Sequence, residues 1–357
     1  MLSRVVGMLS KSCDKSAQEV CCTNEDGHDR AVSSDHRAAS PPTLELESRL
    51  SAKTSNDRKF FNVRLPSRIL SLCGGGHLCI AHLGVLKALR DRHLLKYIKG
   101  VVGVSAGALV GLLCVLGYTI EQIERLMHSI DLTMFTNVES ESALLFYQTL
   151  CINSGQKLDA FLISILEQKG LSSDVTFSQL YKPQAKRRPF FRCYATRLQK
   201  SDIQEFSMEK TPNHSILFAL RASMCLPVIF APMKDPFTET LYYDAALIHN
   251  MPFVFLTEEE KRQCLSVYFD VFSAMGDGED ITSIVKYAFK SFYNMRNTYY
   301  LKRYADSIVT IPVDYTKLLD CTTKESKDEL VDAGYANCNR ILNSRSTRVV
   351  VRRYSVS

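Results

Sequence analysis

A serine between two glycines is the first group in this sequence whose type and spacing could do chemistry. Ser105 lies two residues after Gly103 and two residues before Gly107, within the apolar stretch 100–109. This G-x-S-x-G spacing is typical of a nucleophile elbow, a strained turn between a strand and a helix that exposes the serine hydroxyl. Ser105 is therefore the candidate nucleophile. Because the same short pattern also occurs in purely structural turns, the chain must supply a base and an oxyanion site.

A run of three glycines is the candidate oxyanion site. Gly74, Gly75 and Gly76 follow a predicted strand at 69–73 and precede a predicted helix. The run does not match the dinucleotide fingerprint, because Cys79 stands where its third glycine would be, and it lacks the Gly-Lys-Ser/Thr of a Walker A loop. What remains is a set of slim residues whose amides can converge on an oxyanion beside a helix N-terminus.

A carboxylate at the end of a later strand is the candidate base. Asp244 follows the predicted strand 241–243 and precedes Ala245 and Ala246. A carboxylate followed by small residues at a strand end is well placed to face a pocket at the carboxyl edge of a sheet.

Histidine offers an alternative base. A Ser/His/Asp triad could use His128, His214 or His249, since the sequence contains eight histidines. No motif assigns any of them to the site, so this alternative stays open at the level of sequence.

The elements that must position these groups alternate between strands and helices. Hydrophobic periodicity predicts a strand at 100–104 that leads into a helix. It also predicts strands at 189–196, 204–208, 265–269 and 307–311, and helices at 119–130, 158–169, 214–226, 281–304 and 324–342. This alternation favours a layered α/β domain over an all-β one.

Composition limits the functional classes. The chain has 357 residues, 46% of them hydrophobic, and a formal net charge of +6. No broad basic face with aromatic support indicates a nucleic-acid partner. The twelve cysteines are scattered and lack metal-site spacing, as in proteins whose thiols stay reduced inside a cell. No apolar run reaches the length of a membrane span, so we expect an intracellular protein, either cytoplasmic or a peripheral membrane protein.

Both ends of the sequence differ from its middle. Residues 1–60 are rich in serine and balanced charge and predict a disordered or loosely attached extension. The last eighteen residues contain no acid, and residues 343–357 predict a basic tail that is either solvated or attracted to an anionic membrane surface. Five arginines carry this charge: Arg340, Arg345, Arg348, Arg352 and Arg353.

Three separated blocks together resemble one family in their order along the chain. They are the glycine run with the helix at 80–86, the elbow at 103–107, and the segment 222–227 that leads into Asp244-Ala245-Ala246. The chain resembles a patatin-like phospholipase domain over residues 68–342. The resemblance implies a three-layer α/β/α fold with a largely parallel central sheet, between the extension at 1–60 and the tail at 343–357.

The same resemblance implies a chemistry. Ser105 would attack an ester carbonyl, Asp244 would accept its proton, and the amides of Gly74, Gly75 and Gly76 would stabilise the oxyanion. An acyl-enzyme would form and water would release it, with no metal or organic cofactor. The expected substrates are glycerophospholipids at a membrane surface, and the expected membrane contact is peripheral. The oligomeric state is not indicated.

Two positions depart from the family pattern. Cys79 and Ala245 stand where the family usually has glycine, and a positive φ at either residue would strain the backbone beside the site. Two alternatives therefore stay open besides the phospholipase. One is a triacylglycerol or lysophospholipid lipase of the same family, and the other is a catalytically silent lipid-binding module.

Overall fold

The computed structural model describes residues 67–129, 151–182, 188–271, 296–313 and 323–354. The predicted extension at 1–60 lies outside the described residues, as do residues 281–295 of the predicted helix 281–304. The side chains of residues 346–354 are also outside the description.

Eight strands form one sheet in the described part of the chain: β1 (Ile69–Leu72), β2 (Gly100–Val104), β3 (Phe190–Arg197), β4 (Asp202–Ser207), β5 (Met233–Lys234), β6 (Leu241–Asp244), β7 (Cys264–Asp270) and β8 (Ile308–Pro312). Hydrogen bonds join successive strands in the series β5-β6-β3-β2-β1-β7-β8, and β4 also pairs with β3. The five strands from β3 through β8 in this order run parallel, while β4 and β6 are antiparallel to β3. The sheet is thus largely parallel, as the sequence predicts.

Helices follow most of these strands, and the alternation predicted from sequence is confirmed. The helix predicted at 214–226 is shorter in the structure, since it begins at Ile216 and ends at Ser223, before Pro227. The helices are α1 (Ala81–Asp91), α2 (Ala106–Val115), α3 (Ile120–Ser129), α4 (Gln156–Glu167), α5 (Phe177–Leu180), α6 (Ile216–Ser223), α7 (Glu258–Arg262), α8 (296–303) and α9 (Lys324–Tyr354).

The central strands are buried on both faces, which is why they consist of apolar runs without alternation. Along β1, Leu70 belongs to the larger apolar cluster, which includes buried residues of α1, α2 and α9. Its neighbour Ile69 belongs to a second cluster with Phe253 and Tyr304. Successive side chains of a strand point to opposite faces. The sheet therefore lies between two apolar layers, in agreement with the expected three-layer fold.

The two edges of β3 explain how distant parts of the chain meet. β4 pairs with residues 192–197 of β3, β2 pairs with residues 190–194, and β6 pairs with residues 195–197. Because β4 occupies one edge, β2 and β6 must share the other. They run toward each other along it, since β2 is parallel to β3 and β6 is antiparallel. Their carboxyl ends meet between Tyr194 and Ala195.

The last helix is longer than predicted. Periodicity predicts an end at Leu342, whereas α9 continues to Tyr354, so the predicted tail at 343–357 is helical through most of its length. Leu342 is the last buried apolar residue described on α9, which is why an apolar pattern stops there. Arg345 is also not a free tail residue, because it donates to the Asp306 carbonyl oxygen at 2.5 Å and to Ser67 Oγ at 2.9 Å.

Candidate active site

Ser105 has the backbone conformation of an elbow. It follows β2 directly and precedes α2, with φ 54° and ψ −131°. A positive φ is uncommon for a residue with a side chain, and such strain persists only where the surroundings enforce it. Close backbone contacts at the two glycines that flank Ser105 enforce this conformation. A Cβ on Gly103 would lie 2.5 Å from Ala108 Cα, and one on Gly107 would lie 2.4 Å from the carbonyl oxygen of Leu72.

Asp244 is the last residue of β6, and the shared edge of β3 brings it beside Ser105. Its partner in the ladder is Ala195, one residue beyond the partner of Val104, which immediately precedes the serine. The carboxylate is completely buried. Its Oδ1 accepts the Ala246 N–H at 2.8 Å. Its Oδ2 has no hydrogen-bond partner with regular geometry among the described residues.

Burial raises the pKa of Asp244 to about 7, although the Ser105 hydroxyl and the Ala246 N–H both oppose this by favouring the charged form. The strand register brings the two residues together, since Val104 pairs with Tyr194 and Asp244 pairs with the next residue of β3, Ala195. A carboxyl with a pKa near neutrality can take up and release a proton under ordinary conditions.

Ser223 supports the elbow from the end of α6. Its buried Oγ accepts the Ser105 N–H at 2.9 Å. Two residues later, the Cys225 carbonyl oxygen accepts the Asp244 N–H at 2.9 Å. The segment after α6 therefore binds the backbone of both candidate residues. The sequence singles out this segment as one of the three family-like blocks but does not assign Ser223 a role.

The three glycines form a tight turn between β1 and a short 3-10 helix over Gly76–Ile80. Gly76 has φ 52°, and a Cβ on Gly75 would lie 2.7 Å from the Phe269 ring, so both positions require glycine. Gly74 donates its N–H to the Asn250 backbone oxygen at 3.3 Å. The amides of Gly75 and Gly76 have no acceptor within the described residues.

The two departures from the family pattern introduce no positive φ. Neither Cys79 nor Ala245 is among the described residues with this conformation. Both side chains are buried, Cys79 in the 3-10 helix after the glycines and Ala245 in the turn after the candidate base. The strain that either residue could have caused is therefore absent.

The comparisons with known proteins agree with this geometry. The profile of the family described as "Patatin-like phospholipase" matches residues 70–256, which is more than half of the chain and includes the glycine turn, the elbow and Asp244. The chain belongs to this family. It is 26% identical over 190 residues to "Probable lipid hydrolase 463L" of Invertebrate iridescent virus 6, which covers 52% of the chain and 61% of that protein.

Two further proteins are similar to the chain. The "Uncharacterized protein R571" of Acanthamoeba polyphaga mimivirus is 26% identical over 226 residues, which covers 63% of the chain and 72% of that protein. The crystal structure of VipD from Legionella pneumophila has a TM-score of 0.53 at 19% identity, over 78% of the chain and 67% of VipD. This likeness shows a shared patatin-like fold.

The three histidines of the alternative triad have other contacts in this patatin-like domain. His128 Nε2 lies 3.5 Å from an Asp328 oxygen, and His214 Nε2 lies 3.0 Å from Asp235 Oδ2. The ring of His249 packs edge-on against Phe255, with 6.0 Å between centroids. Burial lowers the pKa of His249 to about 4. None of these contacts involves Ser105.

The remaining sequence expectations concern metals, thiols and membranes. Within the described ranges, no group of three or more His, Cys, Asp or Glu side chains could hold a metal ion. The eight cysteines described are free thiols, and seven of them are buried. Among the helices of the described residues, none combines the length and the apolar character needed to cross a membrane.

Proposed function

We propose that this protein is a lipid acyl hydrolase that cleaves carboxyl esters of glycerophospholipids through Ser105 and Asp244. One observation carries the proposal: a serine on a strained elbow lies beside a buried carboxyl, because β2 and β6 end against each other on β3. Membership of the patatin-like phospholipase family and the similarity to a protein named as a probable lipid hydrolase support it.

Acylation begins with proton transfer. The ionised Asp244 carboxylate accepts the proton of the Ser105 hydroxyl while Oγ forms a bond to the ester carbonyl carbon. The carbonyl π electrons move onto its oxygen and create an oxyanion. The N–H groups of Gly75 and Gly76 are the donors for this oxyanion, because Gly74 already uses its own N–H on Asn250.

The tetrahedral intermediate then collapses. The bond from carbon to the leaving alkoxide breaks, and the protonated Asp244 donates its proton to that oxygen, which leaves an acyl group on Ser105. Asp244 next accepts a proton from water as the water oxygen attacks the acyl carbon. Its proton returns to Ser105 Oγ when the fatty acid leaves, so the enzyme regains its starting state.

Exposed apolar residues near the site favour substrate taken from a lipid surface. Leu226 and Val228 follow Ser223 by three and five residues, and Leu247 follows Asp244 by three. All three are more than a third exposed, and Val228 has φ 69°, a strained conformation for a β-branched residue. We propose peripheral membrane contact through these residues.

The proposed chemistry is tested with a fluorophosphonate probe and with mass spectrometry of products from mixed phospholipid vesicles. The probe is expected to label the wild-type protein at Ser105, and the vesicles are expected to release fatty acid and lysophospholipid. Ser105→Ala and Asp244→Ala should lose product by at least about 10³-fold. Ser344→Ala is the matched control, because Ser344 Oγ on α9 donates only to the Ile341 carbonyl at 2.9 Å.

The alternatives give different results in the same assays. Equal product from the wild type, Ser105→Ala and Asp244→Ala would exclude the pair. Folded wild-type protein that binds vesicles but takes no probe would be a silent lipid-binding module. Loss of turnover in His128→Ala, His214→Ala or His249→Ala would favour a triad. Preferential release from triacylglycerol or lysophospholipid would reassign the substrate within the same chemistry.

A further inference from the structure

Two side chains hold the peptide groups on either side of Gly74. The ring nitrogen Nε2 of His82, on α1, lies 2.9 Å from the Cys73 carbonyl oxygen. The Asn250 Nδ2 donates to the Gly74 carbonyl oxygen at 2.9 Å, and the Asn250 backbone oxygen accepts the Gly74 N–H at 3.3 Å. Asn250 thus binds Gly74 twice, from a position six residues after Asp244.

The acceptors determine which atoms must be donors. A carbonyl oxygen can only accept, so His82 must carry its proton on Nε2, and Asn250 must present its amide nitrogen to Gly74. His82 is completely buried, and its Nδ1 has no partner among the described residues. Burial lowers the pKa of His82 to about 4, so the ring stays neutral near pH 7 and keeps this single donor.

Peptide geometry carries this effect to the next amide. The Gly74 carbonyl and the Gly75 N–H belong to one planar, trans peptide group and point in opposite directions. A donor that fixes the Gly74 oxygen on one side therefore fixes the Gly75 N–H on the other. The His82 bond holds the preceding peptide group, in which Gly74 donates to Asn250.

Close packing surrounds the first two glycines of this turn. A Cβ on Gly74 would lie 2.5 Å from Asn250 Oδ1 and 3.0 Å from Ser105 Cβ, so Asn250 and the serine close the two sides of this glycine. The Phe269 ring packs on Gly75 and also on His82, with ring centroids 4.8 Å apart. Gly74 is thus buried beside the serine, whereas Gly75 is half-buried and Gly76 is exposed.

We propose that Asn250 and His82 are positioning residues that aim the Gly75 N–H at the oxyanion formed during ester cleavage. This inference rests on the proposed function, because it assigns a role in the same reaction. Neither residue touches the substrate. Their effect reaches the reaction through the direction of one amide, so their loss should reduce the turnover rate far more than substrate binding.

The test uses p-nitrophenyl butyrate, a soluble ester that does not require a membrane. In Asn250→Asp the carboxylate has nearly the same shape but cannot donate to the Gly74 oxygen. We expect kcat to fall about 10²-fold, the cost of a lost oxyanion donor, with KM changed by less than about threefold. Asn339→Asp is the control, since half-buried Asn339 on α9 accepts a hydrogen bond from Arg92 at 2.7 Å, away from the glycine turn, and should keep wild-type kcat.

A pair of variants at His82 gives a second readout. His82→Gln keeps an N–H donor at the same reach, whereas His82→Leu removes it at similar volume. The glutamine variant should therefore retain at least about tenfold more kcat than the leucine variant. Thermal unfolding of each variant shows that the compared proteins are folded.

Three results would overturn these assignments. A folded Asn250→Asp with wild-type kcat would remove the role of Asn250. If that variant does not fold, equal kcat in the two His82 variants would overturn the inference by itself. Wild-type protein with no hydrolysis that depends on Ser105 would overturn the proposed function first, and this inference with it.

Discussion

A buried carboxyl with no full set of hydrogen bonds is costly to a folded protein, and Asp244 is such a group. Its Oδ1 has one N–H donor, its Oδ2 has none with regular geometry among the described residues, and burial raises its pKa to about 7. The folded protein therefore holds this proton more tightly than the unfolded chain, whose aspartates titrate near 3.9. The same desolvation that makes Asp244 a usable base makes it a burden on stability.

Asp244→Asn should remove the destabilisation that the buried carboxylate causes, by an amount that depends on pH. Because the folded-state pKa is raised, the contribution of Asp244 to the unfolding free energy should fall as pH increases from about 4 to about 7 and then stay low. The asparagine variant does not titrate there. It should be more stable than the wild type by about 1–4 kcal/mol at pH 8 and by almost nothing at pH 4.

Urea unfolding at both pH values measures this difference. Asp202→Asn is the control, because Asp202 is an exposed carboxylate paired with Arg197 and should give no gain at pH 8. A stability difference between Asp244→Asn and the wild type that is the same at pH 4 and at pH 8 would contradict the raised pKa of Asp244.

At the scale of elements, the site depends on how closely α2 approaches β1. A Cβ on Gly107 would lie 2.4 Å from the backbone oxygens of Leu72 and Cys73, so a side chain there must push the helix away from the strand. One turn later on the same helix, a Cβ on Gly111 would lie 3.0 Å from Val101 Cγ1 and 3.5 Å from Phe191 Cε2, and both are side-chain atoms that can move.

These two glycines therefore form a matched pair. Gly107→Ala should lower stability by about 3 kcal/mol, because both contacts are with rigid backbone, and should displace Ser105 from the glycine turn. Gly111→Ala should stay within about 1 kcal/mol of the wild type, since alanine favours the helix and offsets the tighter contact. Thermal unfolding and probe labelling measure both effects. Equal losses in the two variants would contradict the role of the close approach.

Local patterns in the sequence predict most of these elements and single out Ser105 and Asp244 as the candidate nucleophile and base. The apolar runs of β1 and β2, the glycines around the serine and the strand before Asp244 are all short-range signals. Local sequence does not predict that β2 and β6 end next to each other, because this depends on the register in which each strand pairs with β3. Family resemblance, and not spacing, connects the two residues at the level of sequence.

The supporting residues could not be predicted for a related reason. Ser223, His82 and Asn250 all bind backbone atoms of the turns around the site, at 2.9 Å in each case. A side chain that binds a backbone carbonyl or N–H leaves no motif, because any sequence offers those groups. The six-residue spacing between Asp244 and Asn250 does not by itself indicate a role for Asn250. That role depends on the contact between Asn250 and Gly74, which only the folded chain forms.

At the scale of the whole molecule, the fold extends well beyond the residues that the family profile matches. The match ends at residue 256, yet β7 pairs with β1 and α9 packs against α1. This helix pair is close, since a Cβ on Gly84 would lie 1.9 Å from the Val331 carbonyl oxygen and one on Gly334 would lie 2.1 Å from the Ala81 carbonyl oxygen. α1 carries His82 and follows the 3-10 helix Gly76–Ile80, which begins at the last glycine of the turn. α9 therefore supports the site through α1.

Shortening the chain at two points should separate this support from any membrane role of the basic end. A chain that ends after Thr323 lacks α9 and exposes the apolar face of α1, so it should unfold or lose hydrolysis of p-nitrophenyl butyrate. A chain that ends after Arg345 keeps the buried residues described on α9 and the bonds of Arg345. It should retain wild-type thermal stability and activity on this soluble ester.

The chain that ends after Arg345 lacks the last twelve residues, which include Arg348, Arg352 and Arg353. Comparing its vesicle binding with that of the full chain measures what these residues contribute to membrane binding. If these arginines meet an anionic membrane, binding to anionic phospholipid vesicles should weaken relative to the full chain, and the difference should shrink as salt is raised toward 1 M. Neutral vesicles should bind both chains equally. Equal binding to anionic vesicles at low salt would instead leave the exposed apolar residues after Ser223 and Asp244 as the proposed membrane contact.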